Sequence, residues 1–343
     1  GAGMTARGAS GAVASDGRMA DLATAVLQKG GSAADACIAA WFAAAAVFPD
    51  ALLAPLHLMV AGPGVGLHAY DGSVLQPGRG VPRPRGFQRD TPVPDAARVG
   101  APGSIAAIAA AHAQDGRISL GEIATMASRM AQAAGASVRA SLLKRVGAVG
   151  PVAVREPSFA RPLLDVAGRP QGGNLTLEDL EHASACVGRP HEQRGALLLR
   201  DAPVEPPFEL RSLLACVCDS SAVLAVLHVA LDPSPVAVEP LQLAAPRIAV
   251  PVMRGVPRVS PGTPVPVPAP VAMMLDSTLP LAAIAIDSAK DFTDELADPA
   301  LRESLEFDQW LRRQASALGA RAALAIIRPS SSTTAPRTLQ FSL

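Results

Sequence analysis

Residues 28–48 read Gln-Lys-Gly-Gly-Ser-Ala-Ala-Asp-Ala-Cys-Ile-Ala-Ala-Trp-Phe-Ala-Ala-Ala-Ala-Val-Phe. Gly30-Gly31 can close a preceding helix, because glycine enters the left-handed backbone region without steric cost. Ser32-Ala33-Ala34-Asp35 has the spacing of a capping box, in which a hydroxyl and a carboxylate each satisfy a backbone N–H at a helix start. From Cys37 to Phe48 there is no polar residue on any side, and Pro49 ends the run. A helix that is apolar all round is a buried helix, and this one is too short for a bilayer, which needs roughly 20 residues. The stretch therefore predicts two helices meeting at a glycine turn, the second of them inside the core.

Working outward, the preceding helix is expected over Asp16–Gln28. After Pro49, β-prone pieces stand near Leu56–Val60 and Gly66–Tyr70, with a turn at Asp71-Gly72 before Val74-Leu75. Further helices are expected near Gly103–Gln114, Leu120–Ala134 and Val138–Val146, and Thr176 caps a short one through Leu180. Beyond Gly188 proline becomes frequent and apolar runs replace helical periodicity. Such runs at Ala196–Leu199, Ala222–Leu231, Ile248–Val252, Val271–Leu275 and Leu281–Ile286 suit strands buried on both faces. Leu301–Leu318 returns to a helical pattern, and Ala322–Ile327 and Thr338–Ser342 read as closing strands. Helices followed by a strand-rich half predict a single α+β layered domain over residues 1–343, helical over 4–188 and strand-rich over 189–343. Gly1-Ala2-Gly3 before Met4 reads as a vector-derived leftover.

Lys+Arg and Asp+Glu both number 30, so the net charge is zero, and no electrostatic footprint for nucleic acid or an anionic membrane exists. With 49% hydrophobic and 17% charged residues, a sizeable core can form, and surface remains for an oligomer interface. Cys37, Cys186, Cys216 and Cys218 form neither a zinc pattern nor a CxxC pair, and His57, His68, His112, His182, His191 and His228 have no ligand spacing on one helix. No metal or cofactor is expected. The cytoplasm is the expected compartment, or the periplasm if a leader has been removed, since residues 1–10 contain no apolar signal core.

Several segments resemble the gamma-glutamyltranspeptidase family. Gly11-Ala-Val-Ala-Ser15 and Gln28 to Ala40 are similar to its opening, where a helix leads into K-G-G-N-A-V-D-A-A. Ala101-Pro-Gly-Ser-Ile-Ala-Ala-Ile108 resembles V-P-G-T-V-A-G-L. Gly172-Gly-Asn-Leu-Thr-Leu-Glu-Asp-Leu180 matches G-G-x-L-T-x-E-D-L, the most specific of these segments. Pro261-Gly262 and the strand to Leu275 resemble P-G-x-R-P-x-S-S-M. The resemblance covers nearly the whole chain, strongly to residue 180 and weakly after it. It implies a four-layer αββα sandwich of the N-terminal-nucleophile hydrolase type, reduced in size. The helical part corresponds to the family's large subunit, and the strand-rich part includes a remnant of the small one. It also implies a chain that cuts itself before a threonine, which then attacks a gamma-glutamyl amide while its own amine takes the proton.

Tested against that pattern, the chemistry looks depleted. The nucleophile opens a strand written T-T-H-x-S-V-V-D, and counting back from Asp232 puts Ala225 at the threonine. The family's serine pair falls on Val267 and Pro268, and its oxyanion glycines fall on Lys290 and Asp291, bulkier residues that block close backbone approach. Arg79, in Gly78-Arg79-Gly80-Val81-Pro82, stands one residue from the substrate arginine and is either a carboxylate ligand or a solvated residue of the basic loop. Ser220, Ser221 and Cys218 are the substitute nucleophiles in reach, read otherwise as turn caps and a core thiol. The expectation is a gamma-glutamyltranspeptidase-like protein without self-processing or turnover, a structural or regulatory partner of its own kind or of a catalytic homologue, or a binder of a gamma-glutamyl or other carboxylate ligand. The alternative is a divergent amidase or acyltransferase with its nucleophile within 216–221.

Overall fold

The computed structural model describes residues 5–7, 10–81, 87–88, 90–188, 192–194, 197–200, 210–249, 259–266, 269, 271–276, 279–286, 322–326 and 337–341. The glycine-turn helices form as read. Helix α1 (Gly17–Gln28) starts at Asp16, whose carboxylate accepts from Arg18 N, and closes at Lys29 with Gly30 at φ +87°. Helix α2 (Ala33–Val47) carries the full capping box between Ser32 and Asp35. Every residue from Ala33 to Ala46 is buried, and alanine lets neighbours approach closely. α2 accordingly lies against α1, against α4 (Leu120–Ala133) and against two strands of a sheet. The Asp35 carboxylate also accepts from Arg117 N and Ile118 N, which ties the start of α2 to the loop after α3 (Ser104–Asp115). At its other end Arg139, on α5 (Ser137–Val149), donates from Nε and Nη2 to Ala46 O, a cation at the negative helix terminus.

Two further helices complete this layer, α6 (Pro157–Ala167) and α7 (Leu177–Glu181). The sequence reading names no helix over α6, which carries Pro162 inside it. Pro157 occupies the first turn, where its missing N–H costs nothing. α7 starts on a second capping box, Thr176 with Asp179.

The strands form two mostly antiparallel sheets. In the six-stranded sheet the order is β2 (Gly11–Ala14), β8 (Arg211–Cys218), β9 (Leu224–Leu231), β3 (Leu56–Gly62), β4 (Gly66–Asp71) and β5 (Cys186–Gly188). The seven-stranded sheet runs β1 (Thr5–Arg7), β15 (Arg337–Phe341), β14 (Ala322–Ile326), β13 (Leu279–Ile286), β12 (Val271–Asp276), β7 (Leu197–Arg200) and β6 (Glu192–Arg194). A small hairpin pairs β10 (Val236–Val238) with β11 (Leu243–Ala245). The run Ile248–Val252 forms no strand where it is described, while Leu301–Leu318 lies outside the described residues.

Alternation along the strands separates two cores. Ala215, Val217, Ala225, Leu227, Leu58 and Val60 face the helices. Cys216, Cys218, Leu224, Val226 and Met59 face Val271, Met273, Ala283 and Ala285 of the second sheet. Helices, sheet and sheet thus stack as layers, giving an α+β architecture with β9 and β13 in the interiors of their sheets. Among the described residues no helix is long and apolar enough to cross a membrane.

Candidate active site

The decisive local feature is the hairpin of β8 and β9. The sequence reading places a strand over Ala222–Leu231, with Ser220 and Ser221 as turn caps, and gives no separate strand before them. The structure adds one: β8 ends at Cys218, the chain turns through Asp219-Ser220-Ser221-Ala222, and β9 returns with Cys218 opposite Leu224. Asp219 builds the turn, its carboxylate accepting from Ser221 N (2.8 Å), Val223 N (3.1 Å) and, from α2, Ala33 N (3.0 Å). Ala222 takes the left-handed conformation at φ +63° that glycine would take without strain.

The hairpin register then brings together side chains that are scattered in the sequence. His228 of β9 lies opposite Leu214 of β8 and His57 of β3, and His57 lies opposite Asp71 of β4. All point between the sheets, by alternation from Cys216, Val226 and Met59. Ser212, first inward residue of β8, is diagonal to His228, and its Oγ lies 2.6 Å from His228 Nε2. The His57 ring donates from Nδ1 to Ala269 O (2.9 Å), and its Nε2 stands 3.6 Å from Asp71 Oδ1. Asp71 also accepts from Ser73 N (2.9 Å) and from the Ser73 hydroxyl. Ser212 is 6% exposed, His57 3% and His228 1%. A serine hydroxyl bonded to an imidazole is the arrangement of an activated nucleophile with its base. Among the described residues no group of three His, Cys, Asp or Glu could hold a metal ion.

Of the residues expected from sequence, Ser220 and Ser221 sit on the exposed turn, away from this row. Cys218 is buried, and burial, with Asp219 beside it, pushes its thiol up to about 12. No thiolate is therefore available at neutral pH. His228 and Cys218 lie on different strands, Cys218 at the turn end of the hairpin and His228 midway along it. Ala225 is the second residue of β9 and packs into the helix-facing core, with its methyl turned away from the second sheet. Val267, Pro268, Lys290 and Asp291 lie outside the described residues. The contact of Ser212 with His228 was not foreseen because it depends on a strand register, which no spacing within the sequence displays.

Arg79 is half-buried and held from behind. The Asp179 carboxylate accepts from Gly78 N (2.8 Å), Arg79 N (2.9 Å) and Thr176 N (2.9 Å), while the Thr176 hydroxyl donates to Arg79 O (2.9 Å). The Thr-Leu-Glu-Asp segment thus starts α7 and fixes the arginine loop with the same two side chains. The guanidinium lies over Gly262, where a Cβ would fall 2.1 Å from Arg79 Nη2. No hydrogen bond or ion pair of that guanidinium is found among the described residues.

No family model and no curated protein match the sequence. Solved structures do match. The chain is similar to a cephalosporin acylase from Bacillus halodurans, with a TM-score of 0.71 at 12% identity over 99% of this chain and 95% of that one. It is similar to LmbA2991HD with a TM-score of 0.65 at 13% identity, over 98% and 97%. A gamma-glutamyltranspeptidase from Pseudomonas nitroreducens aligns with 52% of the chain and 66% of its own length, at a TM-score of 0.43 and 20% identity. At these identities the first two establish likeness of fold alone.

Proposed function

We propose that the chain is an acyl-transfer protein of the gamma-glutamyltranspeptidase type, an N-terminal-nucleophile amidase whose nucleophile is Ser212. The observation that carries this reading is the position of Ser212: first inward residue of an interior strand, its Oγ 2.6 Å from His228 Nε2. Read on β8 instead of β9, the strand T-T-H-x-S-V-V-D opens on Ser212 and closes on Asp219, the residue that builds the turn. Scission of the Arg211–Ser212 bond would free an amine on the nucleophile itself. The substrate class is an amide with a carboxylate on its acyl side, received by Arg79, since a guanidinium matches a carboxylate bidentately. Intact-mass measurement tests it. The 35.0 kDa chain should yield two fragments meeting at 211/212, S212A should stay whole, and the cut protein should hydrolyse gamma-glutamyl anilides.

The burial of Ser212, His57 and His228 favours a second reading, a scaffold that keeps the fold without turnover and serves as a structural or regulatory partner. An uncut wild-type chain, inert towards anilides, would select it.

A further inference from the structure

We infer that His228 is the general base of self-cleavage, a role separate from turnover; the inference rests on Ser212 being the nucleophile. Before cleavage the nitrogen of Ser212 is a peptide N–H whose lone pair is delocalised into the Arg211 carbonyl, so it cannot serve as a base. The nucleophile then needs a base from elsewhere in the chain, and His228 Nε2 is 2.6 Å from its oxygen. Backbone register sets this contact. Leu214 is paired with His228 in a ladder that runs unbroken from Arg211–Leu231 to Cys218–Leu224, and a diagonal neighbour on the same face lies within side-chain reach. His57, directly opposite His228 and bonded to Ala269 O, closes the other side of the ring's site. The imidazole is enclosed by the sheets and 1% exposed, so bulk water does not replace it as proton acceptor.

The step balances within the chain and one water. Ser212 Oγ attacks the Arg211 carbonyl carbon and its proton passes to His228 Nε2. The C–N bond breaks as His228 returns that proton to the departing Ser212 nitrogen. This leaves an ester between Arg211 and the Ser212 oxygen. Water hydrolyses the ester to the Arg211 carboxylate and a Ser212 carrying both free amine and hydroxyl. From then on the amine is a second base beside the oxygen, and His228 is no longer indispensable.

The experiment follows cleavage of the full chain by intact mass in wild type, S212A and H228Q, with and without hydroxylamine, which cuts an accumulated ester. Glutamine keeps a hydrogen bond to Ser212 but is no base. H228Q should cleave at least about 100-fold more slowly than wild type, the usual worth of a positioned base, and hydroxylamine should not restore it. Cleavage of H228Q at the wild-type rate overturns the inference and leaves Ser212 standing. Restoration by hydroxylamine overturns it as well, because the ester would then form without His228. A wild-type chain that stays whole overturns the nucleophile assignment, and this inference falls with it. Should H228Q lose its cooperative melting transition, H228N provides the same comparison.

Discussion

Between the two sheets, the same strands carry two chemistries. Across one end, Cys216, Val226 and Met59 stand side by side on β8, β9 and β3 and close on Met273 and Ala283 of the opposite sheet. One step along each strand on the same face, the row becomes Leu214, His228, His57 and Asp71, with Ser212 beyond it. The apolar row is stabilised by leaving water, about 25 cal/mol per Å². Apart from Leu214, the members of the second row gain little that way. They must be hydrogen-bonded merely to offset burial, and apolar residues of equal shape often hold a core at least as well. Packing accounts for the first row and does not account for the second. A buried polar row against the trend of its own strands is where use, rather than stability, sets the residue.

That contrast can be broken by a pair of substitutions. Met59→Ala removes a fully buried side chain from the apolar row, and urea denaturation should show a loss of about 2–5 kcal/mol with cleavage at 211/212 unaltered. Ser212→Ala should cost about 1–3 kcal/mol, the usual cost of taking one partner from a buried hydrogen bond, and end cleavage. If both variants lose stability alike and cleave alike, the two rows do not differ in role.

A polar pair outside the row sharpens the comparison. Arg247 donates to both Asp232 oxygens (2.8 Å each), and Asp232 also accepts from Ser234 N and Arg247 N. Burial acts to raise this carboxyl, but the guanidinium and backbone N–H groups outweigh it, so the net shift is downward. A folded-state value below the unfolded one means stability fully present above about 3.9 and lost as pH falls through the folded value. Asp232→Asn should therefore cost about 1–3 kcal/mol at neutral pH, with the difference from wild type shrinking below about pH 4 and cleavage untouched. A difference constant with pH would show the pair to be idle.

The smallest expected effect lies at the turn joining β8 and β9. Ala222→Gly relieves a left-handed alanine at φ +63° and should raise the melting temperature, a gain of about 1 kcal/mol. No change would mean that the turn is already relaxed.

How much of this was legible depends on how local its cause is. Ser32–Asp35 and Thr176–Asp179 announce helix starts because a capping box is complete within four residues, and α2 announces its burial by having no polar side. The α+β class follows from such elements. β8 was not read as a separate strand because the turn after it contains no glycine: Asp219 supplies the hydrogen bonds that make Ala222 tolerable, and Ser220 and Ser221 read only as caps of the strand that follows. The nucleophile motif was counted back from Asp232; counted back from Asp219, it opens on Ser212, the register that the proposed function uses. His57, His228 and Ser212 meet only through antiparallel pairing, a tertiary fact, and scattered histidines show no spacing to read.

The carboxylate of Asp179 has a consequence for dynamics. Gly78, Arg79 and Thr176 N–H groups share it as acceptor, although about a hundred residues separate the first two from the third. Lifting of α7 would remove the acceptor of all three at once, so their exchange with solvent deuterium should share a common opening event. The orientation of the arginine loop is thus timed by a five-residue helix far along the chain.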